Sequence, residues 1–121
     1  MIHFIQKYWL SLTCLLIASI STLSLWPAAS LPSVPGTDKT HHFIAYAALI
    51  FPTVIKQPKN VVFIVIGFIA FSGAIELIQP YVNRYGEWLD MLANTLGLLC
   101  GWILAKITLY IAKKLNRRIK D

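Results

Sequence analysis

Between Lys7 and Asp38 the chain carries no charged residue. Within that gap the stretch 9–26, with a tryptophan at each end, is apolar enough to cross a bilayer, whose hydrocarbon core of about 30 Å takes about 20 residues of helix. A segment in lipid must satisfy its own backbone hydrogen bonds, so such a run is a helix and not an open strand. The same economy of charge holds along the whole chain. Of 121 residues 57% are hydrophobic and 13% charged, where a soluble domain has about 25% charged. That balance excludes a disordered chain, a disulfide-stapled secreted domain and most soluble enzymes. Four helices would use roughly 80 residues, leaving only short loops and a tail. The expected fold class is all-α: a polytopic membrane protein, with four transmembrane helices in one compact bundle forming a single domain over 1–121.

The spans fall at about 8–26, 38–55, 61–78 and 88–112. Prolines at Pro27, Pro32 and Pro35 make 27–35 a loop, because proline removes a helical donor. Pro52 predicts a kink or early stop in the second helix, and Pro80 ends the third. A cleaved signal peptide is the alternative reading of the first run. That run is longer than the usual 7–15 residues, and Pro27 sits badly for a cut after Ala29, so a retained helix is expected. Cys14 and Cys100 lie mid-run and act as small hydrophobes.

The net charge of +6 does not point to nucleic acid. Lys113, Lys114, Arg117, Arg118 and Lys120 form one cluster after an apolar segment, with no interleaved aromatic platform. They suit an anchor on anionic headgroups. Lys7, Lys56, Lys59 and this tail fall on one side of the expected spans, and Lys39 and Arg84 on the other. The positive-inside rule then places both termini in the cytoplasm.

Polar groups in a membrane are costly and mark function. Asp38, Lys39 and His42 open the second helix, Glu76 and Gln79 close the third, Arg84 follows, and Asp90 and Asn94 open the fourth. All lie toward the outer leaflet. Residues four apart share a helix face, so Asp38, His42 and Tyr46 form one stripe and Asp90 and Asn94 another. Gly97 and Gly101 are a small-xxx-small pair that lets the fourth helix approach a neighbour. Plainer roles exist for each residue: Asp38 and Asp90 as helix caps, His41 as an interfacial residue, Glu87 as a solvent-facing acid. Glu76 resists such a role, since a carboxylate in the last turn of a span needs a partner, for which Lys39 and Arg84 are the candidates.

Asp38-Lys39-Thr40-His41-His42 with Phe43 and Tyr46, then Glu76-x-x-Gln79, Arg84, and Asp90-x-x-x-Asn94-Thr95-x-Gly97-x-x-x-Gly101 resembles the VanZ-like family of bacterial membrane proteins, over roughly 38–101. The resemblance implies a cell-envelope role in the bacterial cytoplasmic (inner) membrane and a link with susceptibility to the glycopeptide teicoplanin; it supplies no reaction. The expected function is an outward-facing polar pocket that binds an envelope or lipid-linked ligand. An outer-leaflet enzyme with His42 or Glu76 as general base, and a small transporter acting as an oligomer, are the alternatives. Expected partners are membrane lipids and a lipid-linked precursor or glycopeptide. No cofactor is expected. His42, Glu76 and Asp90 could meet around zinc or manganese, but no His-x-x-x-His spacing is present, so no metal is expected either.

Overall fold

A computed structural model describes residues 1–27, 37–82, 84 and 86–121; most of the proline-rich loop 27–35 lies outside the described residues. Four helices follow in order: α1 (Ile2–Leu25), α2 (Asp38–Lys56), α3 (Val61–Ile78) and α4 (Trp88–Lys120), with a 3-10 turn at Gln79–Val82 between α3 and α4. Among the described residues there is no strand. The all-helical expectation holds.

α1 starts earlier than expected. Ile2–Lys7 continue the helix, with the backbone bent at Tyr8 (φ −108°, ψ 18°). Ile2 and Ile5 pack against the buried core, and Gln6 Nε2 donates to the Ile55 carbonyl at 3.1 Å, so tertiary contact holds the first turns. Pro52 does not end α2, which runs on to Lys56. Its flanks Leu49, Ile50, Thr53, Val54 and Ile55 are all buried, and that packing offsets the lost backbone bond. The stop comes at Gln57, whose left-handed φ of 59° and N–H to the Thr53 carbonyl close the helix. α4 also outruns its expected end at 112. Its basic tail has no glycine or proline, and the cations of its last turn complement the helix dipole.

α2 is the central helix. It packs most extensively on α4 and next on α1, while α3 leans chiefly on α4. Three helices, α1, α3 with the following turn, and α4, are long and apolar enough to cross a membrane. α2 is not among them: its first turns carry Asp38, Lys39, His41 and His42. The helix that opens on these polar groups is thus also the one with the most deeply buried residues, Tyr46, Leu49, Ile50, Val54 and Ile55. The apolar helices turn Leu15, Leu23, Phe63, Ile66, Leu99, Ile103 and Ile107 outward, a surface suited to hydrocarbon.

The α2–α4 seam is set by the two glycines. A Cβ on Gly97 would collide with the Phe43 backbone, and one on Gly101 would lie 2.6 Å from Ile50 Cγ2 and 2.8 Å from Ala47 Cα. Lipid provides little hydrophobic drive between helices, so such close backbone contact is a main source of association.

Candidate functional site

The polar residues gather at one end of the bundle, where α1 and α3 finish and α2 and α4 begin. His42 comes from α2, Glu76 from the last turn of α3, and Asp90 from the first turn of α4. One ligand atom of each lies within 4.8 Å of the other two, and His42 Nδ1 is 3.9 Å from Glu76 Oε1. All three are largely withdrawn from solvent, with side chains 13%, 9% and 9% exposed respectively. Asn94 is fully buried one turn beyond Asp90 and donates through Nδ2 to Ser72 Oγ at 2.8 Å.

A rim covers this centre. Lys39 Nζ bonds Glu87 Oε2 at 2.8 Å and stands 3.4 Å from Asp90 Oδ1. Lys39 and Glu87 side chains are 45% and 52% exposed, so screening leaves their mutual attraction small. The Glu87 N–H donates to Glu76 Oε2 at 3.2 Å. That contact depends on Gly86, where a Cβ would sit 2.5 Å from the Glu76 carbonyl oxygen and 3.3 Å from the Pro80 ring. Only a residue lacking a side chain lets the loop lie so close to the end of α3.

Several expected pairings are replaced. Glu76 takes neither Lys39 nor Arg84 as an ion-pair partner within 4 Å; its contacts are the Glu87 amide and His42. Arg84 Nη1 instead donates to the carbonyls of Leu23 and Trp26, both at 3.1 Å, tying the loop to the end of α1. Gln79 is buried but points away from Glu76, donating to the Ser24 carbonyl at 3.1 Å. Residues three apart on one helix stand about 60° off each other, and the 3-10 turn at Gln79 adds to the divergence. Asp38 is not a cap: Thr37 holds that position, its Oγ1 accepting from the Thr40 N–H at 3.2 Å, and Asp38 is exposed at the rim. Asp90 is not one either, because Glu87 precedes α4 and no side chain caps it. Neither acid caps its helix, although both sit in the first turn, where a carboxylate complements the dipole.

Tyr46 is buried below His42 with its ring 6.2 Å from that of Phe71. Ser72 was not singled out by sequence, and Glu87 was read there only as a solvent-facing acid. Ser72 precedes Glu76 by four and so shares its face, a signal that was available; Glu87 reaches the site through a loop whose path no periodicity reveals.

A bundle of lipid-suited helices around a polar centre is the build of a small multi-pass membrane protein. The family model described as VanZ/LLP1 matches residues 1–110, and the chain belongs to this VanZ-like family, of which the motif residues 38–101 are the inner part. No curated protein and no solved structure matches the chain.

Proposed function

We propose that the chain spans the bacterial cytoplasmic membrane four times, with both termini in the cytoplasm, and that the polar end of the bundle faces outward and binds the headgroup of an envelope lipid or lipid-linked precursor. The observation that carries this reading is the concentration of buried groups without hydrogen-bond partners at one end: His42 Nδ1, Glu76 Oε1, Asp90 Oδ1, Asn94 Oδ1 and Gln79 Oε1. Orphaned buried polar atoms cost about 1–3 kcal/mol each, so a site that keeps several of them gains by receiving a ligand. Acceptors dominate the set, which suits a headgroup rich in hydroxyl or amine donors, such as a sugar. The outward apolar faces of α1, α3 and α4 offer a path for the lipid tail. The glycopeptide link implied by the family belongs to the same proposal: a protein holding an envelope precursor alters what such an antibiotic meets.

α2 is the span that composition alone does not support. Its 19 residues rise about 28 Å at 1.5 Å each, close to the hydrocarbon thickness. Its exposed first turn, Asp38 to Thr40, would lie at headgroup level, and its neighbours bury Tyr46 and most of the stretch from Leu49 to Ile55, so a fourth crossing is feasible. With Cys14 and Cys100 replaced by serine, single cysteines at Tyr81 and Asn116 test the orientation. A membrane-impermeant maleimide added to intact spheroplasts should label position 81 and leave position 116 unlabelled until lysis; the reverse pattern would refute the orientation.

Ligand binding is tested on the purified chain in nanodiscs by native mass spectrometry. A polyprenyl-pyrophosphate-linked sugar should be retained in preference to the same lipid without its sugar, and Asn94→Leu should reduce retention at least tenfold. Equal retention of both lipids, or an indifferent Asn94→Leu, would remove the polar end from the binding site.

A further inference from the structure

The three groups at the centre of the site have a property that binding a neutral headgroup does not use. They are chelating groups, one from each of three helices, with one ligand atom apiece inside a common 4.8 Å radius of one another. The absence of any two-ligand spacing along a single helix is no obstacle when each helix supplies one ligand.

The charges around them do not balance. Asp38, Glu76, Glu87 and Asp90 are four of the five acids in the chain, and all stand at this end. Against them are Lys39 and Arg84. Lys39 is shared between Glu87 and Asp90, and Arg84 is turned onto the carbonyls of α1. Asp38 and Glu87 reach solvent, but Glu76 and Asp90 are both largely buried, and the one cation beside either of them, Lys39, is shared with Glu87. An uncompensated charge taken out of water costs several kcal/mol.

The free atoms lie where an ion would need them. His42 Nδ1 and Glu76 Oε1 have no hydrogen-bond partner, and Asp90 Oδ1 has only the long Lys39 contact at 3.4 Å. Beside them, the fully buried Asn94 spends its Nδ2 on Ser72 and leaves its own Oδ1 without one. Donors around a tetrahedral ion with bonds of about 2.1 Å are roughly 3.4 Å apart. The His42–Glu76 pair at 3.9 Å is already near that spacing, and closing the widest separation asks for a shift of about 1 Å or less from each side chain.

We propose that His42, Glu76 and Asp90 hold one divalent transition-metal ion of the zinc or manganese class, with Asn94 Oδ1 as an auxiliary oxygen donor. One imidazole nitrogen with carboxylate oxygens suits these ions better than the all-oxygen sets of magnesium and calcium or the thiolate sets of copper(I). The three main ligands fill three positions, and Asn94 Oδ1 or a water would take the fourth. A bound ion would offset the charge of the buried Glu76 and Asp90 and place a Lewis-acidic centre in the site. This assignment goes beyond headgroup binding and does not depend on it.

The test uses the full chain, purified in nanodiscs with a tag free of histidine, stripped with EDTA, exposed to zinc chloride or manganese chloride and then dialysed. Plasma mass spectrometry should find about one ion per chain, with the melting temperature raised by the same ion. His42→Ala and Asp90→Asn should each lower retention at least tenfold, while Glu87→Gln, which alters only the rim, should retain the ion. A pulsed electron-spin spectrum of the manganese-loaded unaltered chain should carry a nitrogen coupling from one imidazole, a readout that needs no variant to fold. Retention no higher than the stripped background, or retention undiminished in a folded His42→Ala, overturns the proposal. A failure to bind any lipid-linked sugar would leave the ion count unchanged, so the two proposals stand or fall separately.

Discussion

Replacing Gly97 and Gly101 together by alanine should cost the protein its folded state. Each added methyl meets backbone, Phe43 in one case and Ala47 in the other, and backbone cannot step aside as a flexible side chain does. α4 would have to move off α2 along the largest helix contact in the bundle. Overpacking costs about 1–3 kcal/mol and occasionally more; with a rigid obstacle each single variant should lie near the upper end, about 3 kcal/mol. Two such losses consume most of the 5–15 kcal/mol typical of a folded protein. Unfolding of the purified variants in mixed micelles measures this directly. Gly67→Ala is the control, since nothing lies within 4 Å of its Cβ position, and it should melt within a few degrees of the parent. A double variant as stable as the parent would show that the α2–α4 contact is looser than described. The seam also sets the site: Phe43 follows His42, and Gly97 lies about two turns along α4 from Asp90, so prying the helices apart separates imidazole from carboxylate. A single Gly97→Ala that still folds should therefore already weaken ion retention.

The sequence reveals this protein unevenly, and for physical reasons. α3 was legible to the residue, because the stretch between Asn60 and Pro80 is apolar except for Ser72, Glu76 and Gln79 and has one interpretation in a membrane chain. The meeting of His42, Glu76 and Asp90 followed from helix periodicity and the up-and-down order of the helices. The ends of α1 and α4 were hidden, since Ile2–Lys7 and the basic tail carry ordinary helix formers whose state depends on packing and length. Pro52 misled because the cost of a missing donor is local, whereas the burial of Leu49 to Ile55 that holds α2 together is tertiary. Arg84 and Gln79 misled differently. Arg84 was a candidate partner for Glu76 and Gln79 was grouped with it at the close of α3, yet both turned to carbonyls at the end of α1 that no side-chain pattern advertises.

Glu76→Gln separates a working carboxylate from a structural one. An ion pair with Lys39 or Arg84 would make the charge part of the scaffold, and its loss would destabilise the bundle by about 3–5 kcal/mol. Neither cation is within 4 Å of Glu76, whose contacts are the Glu87 amide and His42. A glutamine retains an oxygen that can accept from the Glu87 N–H, and a neutral amide is cheaper to bury than a carboxylate. The variant should accordingly accumulate in membranes at the parent level and melt no lower than the parent in the ion-free state. Retention of the divalent ion, and of the lipid-linked sugar if the ion helps to hold it, should fall at least tenfold, together with any change in glycopeptide susceptibility that the parent confers. Abundance, melting and retention measured on the same preparations distinguish the cases. Reduced abundance with retention per folded molecule unchanged would make Glu76 a packing residue. Normal abundance with normal retention would take Glu76 out of the site altogether and overturn the assignment of the ion to these three residues.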